Sequence, residues 1–211
     1  MASANHKPVR RKTGTAAPTK TAPKKTSAYP GRLRIIGGQW RGRRLDIAES
    51  EGLRPTPDRV RETLFNWLQP YIDGAQCLDL FAGTGALCLE ALSRGAGRVV
   101  MVEKAPTVAE ALRGHVKLLE AQNAEVVLAD AAEYLNQPPQ PFDIIFLDPP
   151  FKSDLIVRCA ELVERRGWIK PGGLIYIEAP SQVEALPIPA TWELIRSKKA
   201  GQVGYHLARK K

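Results

Sequence analysis

From residue 75 to residue 180 the chain alternates between two rhythms of hydrophobic positions. Short runs are apolar at nearly every step: "CLDLF" from Cys77, "RVVMVE" from Arg98, "EVVLAD" from Glu125, "FDIIFLD" from Phe142 and "LIYIEAP" from Leu174. Between them lie longer stretches with helical spacing of apolar residues. These are "GALCLEALSRG", closed by a glycine, "PTVAEALRGHVKLLEAQ", opened by Pro106, a short piece through Tyr134, and "SDLIVRCAELVERRG". A strand that is apolar throughout is buried on both faces, and alternation with helices predicts a mostly parallel, doubly wound α/β sheet. The last stretch, "WELIRSKKAGQVGYHLARKK", reads as two more strands joined by a Lys/Gly loop.

The front of the chain follows other patterns. In "LRIIGGQWRGRRLDIAES" two short apolar pieces flank a Gly37-Gly38 break, which predicts a hairpin around a glycine turn. "RPTPDRVRETLFNWLQPY" predicts a helix with Thr56 as N-cap and Pro57 at its first position. Val60, Leu64 and Leu68 form its apolar stripe, Pro70 ends it, and Arg54, Arg59 and Arg61 fall off the stripe. The expected division is a disordered tail over 1–30, a basic hairpin extension over 31–53 and a single catalytic domain over 54–211.

Charge sharpens that division. Residues 1–44 carry twelve Lys/Arg and no Asp/Glu, while the remainder carries nineteen basic against twenty-two acidic residues. A near-neutral body with a cationic front suggests a polyanionic partner, of which nucleic acid is the commonest. A solubilising tail and an organelle transit peptide are the alternative readings of residues 1–30. Five arginines, Arg32, Arg34, Arg41, Arg43 and Arg44, fall within thirteen residues around Trp40. Cations interleaved with an aromatic ring suit RNA contact. Cys77, Cys88 and Cys159 lack paired-ligand spacing and read as reduced core residues, and the scattered His6, His115 and His206 form no metal pattern. His115 is expected on a helix surface, and Trp67 and Trp168 in the core. No apolar run is as long as a membrane span, and the first residues lack a secretory signal's apolar stretch, so a cytoplasmic protein is expected.

The chemistry concentrates at strand ends. "LDLFAGTGAL" places Asp79 at a strand tip, then Gly83 and Gly85 where a helix opens. Cys88 stands where a dinucleotide site would want a third glycine, so a ligand without a pyrophosphate fits better, and S-adenosylmethionine is one. Glu103 ends the second strand, 24 residues after Asp79, where an acid can accept from ribose hydroxyls. Asp130 and Asp148 end the third and fourth strands. Four acids at four strand ends face one crevice, although each alone could be a helix cap. Asp148 is followed by Pro149, Pro150 and Phe151. A carboxylate fixed by two prolines can accept hydrogen bonds from a nucleobase amine and free its lone pair, while an aromatic ring stacks on the base. Asp-Pro-Pro also occurs in plain turns.

Taken together, "RIIGGQWRGRRL", "GLRPTPDRVRETLFNWL", "DLFAGTGALCLEALSRGA", "VE" at 102–103 and "FLDPPF" resemble the bacterial small-subunit ribosomal RNA guanine-N2 methyltransferases that act on guanine 966. The resemblance runs from about Arg34 to Glu178. It implies a Rossmann-like class I S-adenosylmethionine-dependent methyltransferase fold, with a seven-stranded, mostly parallel sheet and an N-terminal β-hairpin extension. It further implies a donor site of Asp79, Gly83, Gly85, Glu103 and Asp130, with Phe81, Lys104 and Ala131 beside them. Asp148, Pro149, Pro150 and Phe151 form the implied catalytic loop. The implied partner is 16S rRNA in the small ribosomal subunit, bound by a monomer that needs neither membrane nor metal. A DNA adenine-N6 methyltransferase would share the glycine loop and Asp-Pro-Pro, and a ribosome-assembly protein without catalysis is the other alternative.

Overall fold

A computed structural model describes residues 1–2, 31–48, 55–150 and 154–211. Residues 3–30 of the expected disordered tail, residues 49–53 of the hairpin extension and Phe151 lie outside these residues. Two sheets organise the rest. The smaller is the hairpin of β1 (Arg32–Arg34) and β2 (Arg44–Asp46). Leu33 pairs with Leu45 at its centre and both are buried, while Arg32, Arg34 and Arg44 point outward. One apolar residue per strand is enough because the hairpin lies against the helices of the main body.

The main sheet contains β3 (Gln76–Asp79), β4 (Arg98–Glu103), β5 (Ala124–Leu128), β6 (Phe142–Leu147), β7 (Ile169–Pro180), β8 (Trp192–Ala200) and β9 (Val203–Lys210). Their order is β5-β4-β3-β6-β7-β9-β8, with the first five parallel and β9 antiparallel to both neighbours. The helices are α1 (Asp58–Leu68), α2 (Ala86–Ser93), α3 (Pro106–Leu118), α4 (Ala131–Tyr134) and α5 (Leu155–Arg166). Alternate strand residues feed two cores: Cys77, Val99, Met101 and Phe146 pack with α1, α2 and α3. Leu78, Val100, Ile145 and Ile175 pack with α4 and α5 on the other face. Cover on both faces is the reason these strands carry no polar alternation. Trp168 is core, as expected, with its indole N–H donating to the Leu135 carbonyl at 3.0 Å.

Three local expectations differ from the structure. The helix after "RPT" begins at Asp58 with Pro57 as its cap residue, and the Thr56 hydroxyl caps nothing; it reaches Glu178 instead. Arg61, off the apolar stripe, is 1% exposed. Gly37 and Gly38 are not the centre of the hairpin connection but precede it: Gly38 opens the turn in which Arg41 N–H donates to Gly38 O, and Arg43 N–H then donates to Trp40 O. The two glycines make room for α2: a Cβ on Gly38 would lie 1.7 Å from the Ser93 carbonyl oxygen, and Gly38 is left-handed at φ +74°.

Candidate active site

The crevice lies where the strand order reverses, between β3 and β6 at their carboxyl ends, because the chain leaves β3 toward β4 and β5 and then returns to its other side. Asp79 ends β3 fully buried, and its Oδ1 accepts from Phe81 N–H at 3.1 Å. The Cys88 thiol donates to it as well. Burial pushes the Asp79 carboxyl up to about 7. The glycine turn follows, with Gly83 at φ +50° and Gly85 at φ +81°. Gly85 is favoured by its left-handed backbone, and a Cβ there would also have to displace the side-chain ends of Leu89 at 2.8 Å and Leu112 at 2.9 Å. Gly83 is tied across the crevice, its N–H donating to Glu103 Oε2 at 3.0 Å.

Glu103 ends β4, and its Oε1 accepts from Ala105 N–H at 2.8 Å. One donor on each oxygen leaves each with a second lone pair. Asp130 is the N-cap of α4, with Oδ1 accepting from Ala132 and Glu133 N–H, so the capping reading of this acid holds and Oδ2 is not used by it. Phe81 is half-buried against the α4–α5 core, Lys104 is exposed, and Ala131 is buried at the first position of α4.

Asp148 and Pro149 follow directly on β6. Leu147 pairs with Ile177 of β7, so Asp148 and Glu178 emerge side by side on neighbouring strands. Burial holds the Asp148 carboxyl well above the usual carboxylate range, and the charges of Glu178 and Asp79 add to it. Glu178 is buried, and Tyr176 Oη donates to its Oε1 at 2.7 Å. Glu178 lies in the strand read from "LIYIEAP" and Thr56 reads as a helix cap; nothing local in either segment signals that they meet. Glu62 and Asn66 are exposed on α1.

The arginines of the hairpin divide. Arg32 pairs with Asp46 at 3.0 Å and Arg34 with Asp58 at 2.7 Å, both on the surface. Arg41, Arg43 and Arg44 are exposed, and Trp40 is half-buried against the main core. The hairpin tip docks at Ser93, where Gln39 N–H donates to Ser93 O. That is the end of α2 away from the glycine turn, and eight helical residues separate the two ends by roughly 12 Å. His115 is not a free surface residue: its Nε2 lies 2.9 Å from the Asp46 carbonyl and ties α3 to the hairpin. A second cationic strip went unassigned in the sequence. Val203 pairs with both Pro180 and Ala200, so the β8–β9 turn sits at the carboxyl end of β7. Exposed Arg196, Lys198 and Lys199 lie on the edge strand β8, toward the crevice end of the sheet with β7 and β9 between them and β6. A cleft of about 330 Å³ lies at the opposite end of the sheet, around Gly74, Asp143, Lys170 and Gly172. It is remote from all four strand-end acids, and the surface pair of Lys170 with Asp143 is its main polar feature.

A sheet of this order, with a glycine turn after its central strand and acids at successive carboxyl ends, is the class I S-adenosylmethionine-dependent methyltransferase fold. Comparison with known proteins narrows the class. The family described as conserved hypothetical protein 95 matches residues 33–209. Ribosomal RNA small subunit methyltransferase D of Escherichia coli is 50% identical over 177 residues, covering 84% of this chain and 89% of that protein. The protein of the same name from Haemophilus influenzae is 47% identical over 181 residues, covering 84% and 93%. A solved structure from Escherichia coli, described as a proposed methyltransferase, matches with a TM-score of 0.81 at 49% identity, covering 86% of this chain and 99% of that one. The chain belongs to the ribosomal RNA small subunit methyltransferase D family. Among the described residues no helix is long and apolar enough to cross a membrane.

Proposed function

We propose that this protein methylates the exocyclic N2 amine of a guanine in 16S rRNA of the small ribosomal subunit, with S-adenosylmethionine as donor. The observation that carries this reading is the acidic edge of the switch point, where Asp148 and its prolines stand next to β3 and the glycine turn. The donor set fits the group. The spare lone pairs of Glu103 suit two ribose hydroxyls, and Asp130 Oδ2 suits an adenine amine. Asp79 is buried with no cation acting on it among the described residues, and a positively charged ligand would relieve that. The N-terminus of α2 offers its positive end to a carboxylate. Phe81, Lys104 and Ala131 flank these groups.

When bound, the donor supplies an electrophilic methyl group on a sulfonium. The chain's own residues do the rest. Asp148 accepts a hydrogen bond from the guanine amine, and the carbonyl of Pro149 can accept another, which together draw the lone pair out of conjugation. Pro149 and Pro150 restrict the backbone so that these acceptors do not reorganise during the reaction. Phe151 supplies a face for the base to stack on. A base must leave its helix to enter such a crevice, which favours a nucleotide in a loop. The arginines of the hairpin, the basic residues of 1–30 and the strip of Arg196, Lys198 and Lys199 contribute affinity through phosphates.

The test is transfer of labelled methyl from S-adenosylmethionine to small subunits isolated from cells lacking the enzyme, followed by nucleoside analysis. Labelled N2-methylguanosine at a single position is expected. Label on another base, or on DNA alone, would overturn the assignment.

A further inference from the structure

Three acids meet at the floor of the crevice, and the reaction outlined above uses Asp79 and Asp148 but leaves Glu178 without a task. Its position is well defined. Because Leu147 pairs with Ile177, the next residue of each strand, Asp148 and Glu178, stands at the same level. Glu178 lies on the α1 face together with Tyr176, two residues earlier, and Tyr176 Oη donates to its Oε1 at 2.7 Å. A second hydroxyl comes from Thr56, in the segment that enters α1. We propose that Glu178, held by the hydroxyls of Tyr176 and Thr56 beside Asp148, is a positioning residue that makes Asp148 the proton acceptor of methyl transfer. This rests on the role given to Asp148 above.

The physical argument concerns where one proton resides. A buried and a half-buried carboxylate at the same level of neighbouring strands do not both carry charge freely. Glu178 is opposed by burial but favoured in its charged form by two hydroxyl donors. Asp148 has burial and the charges of Glu178 and Asp79 against it. The hydroxyls therefore place the negative charge on Glu178 and raise the proton affinity of Asp148. The other titratable groups facing the site are Asp79 from β3, Tyr176 from β7 and Tyr205, which pairs with Glu178 from β9. No cation acts on Asp79, Asp148 or Glu178 among the described residues. In the reaction the guanine N2 forms a bond to carbon and the sulfur–methyl bond breaks, leaving a neutral thioether. N2 sheds one proton, and ionised Asp148 takes it. A carboxylate with raised proton affinity accepts that proton more readily at neutral pH. The "RPT" segment thereby gains a task that helix capping does not explain.

Asp148 must be ionised before each turnover, so the rate falls on the acid side of the pair's upper ionisation. Replacing Glu178 by Gln removes the neighbouring charge. The acid limb of the kcat profile is then expected to move to lower pH by about one unit or more. The plateau rate should fall roughly tenfold, since a weaker acceptor remains, with KM for S-adenosylmethionine unchanged. Tyr176→Phe and Thr56→Val each remove one donor, leave Glu178 holding the proton more often, and should move the limb the same way by less. These two variants keep the question testable if Glu178→Gln does not fold. An acid limb that stays in place in folded Glu178→Gln, or that stays in place in both hydroxyl variants, overturns the proposal. Retained turnover in Asp148→Ala would instead overturn the reading on which it rests, so the two failures are distinguishable.

Discussion

Two buried acids on the same side of the sheet have opposite surroundings. Glu90, fully buried on α2, accepts from Ile36 N–H and Gly37 N–H at 2.8 Å each, and pairs with Arg94 at 2.7 Å and with buried Arg61 at 3.4 Å. Glu178 has two hydroxyls, Asp148 on the neighbouring strand with Asp79 one strand beyond it, and no cation among the described residues. Every lone pair of Glu90 is directed at a group that holds the hairpin to the body. The acids of the crevice are left in electrostatic tension that a positively charged ligand or a shared proton relieves. Compensation marks the joint that must stay closed, and its absence marks the place prepared for something to enter.

The sharpest test of this contrast is a pair of truncations. Asp148→Ala should lower turnover by a factor on the order of 10² to 10⁴. Its denaturation midpoint should be equal to or above that of the parent, since an acid in tension is removed. Glu90→Ala should do the reverse. It leaves Arg61 buried without its partner and two amides without an acceptor, and should cost about 3–5 kcal/mol in urea unfolding. Turnover per folded molecule should be retained. Equal stability of the two variants would break the contrast. A smaller effect is expected at Glu103, where replacement by Ala should weaken donor binding by roughly 1.5–3 kcal/mol in calorimetry.

Proton linkage gives a further test. The Asp79 carboxyl, raised to about 7 by burial, binds its proton more tightly in the folded chain than in the unfolded one. Its contribution to stability is therefore present at acid pH and is lost as pH rises from about 4 to about 7. Asp79→Asn should flatten that slope in thermal denaturation, and affinity of the parent for the cationic donor should increase through the same interval. The smallest effects belong to the surface. Neutralising Arg41, Arg43 and Arg44, or Lys198 and Lys199, should each reduce RNA affinity and flatten its dependence on salt, with no change in donor binding. If only one set changes the slope, that set defines the path of the RNA.

How much of this was legible in the sequence depends on range. The parallel strands were readable because burial on both faces writes itself locally, as runs such as "DIIFLD", and the strand-end acids were readable because a parallel sheet aligns its carboxyl ends. Strand limits were off by two residues at "CLDLF", where the strand stops at Asp79, and by five at "LIYIEAP", where it already begins at Ile169. What the sequence did not disclose are the partnerships that cross it. Arg61 and Glu90 are 29 residues apart and Ile36 and Glu90 are 54 apart, and neither pairing leaves a periodic signal. An arginine off a helical stripe reads as solvated, and Arg61 is buried because its guanidinium reaches the Thr56 and Arg34 carbonyls as well as two acids. Thr56 before Pro57 reads as a cap for the same reason: local rules see the helix that follows, not the strand that folds back beside it.

The docking of Gly38 on Ser93 has a last consequence. With no side chain between the two backbones, and with Ser93 Oγ accepting from Trp40 N–H while donating to Gly37 O at 2.6 Å, the hairpin is fastened to α2 at its tip. It behaves as one jaw of a caliper whose opening is set by the length of a short helix. In the RNA contact proposed above, a loop of the wrong width would meet a fixed gauge, so selection of the target would begin with measurement, before any base is read.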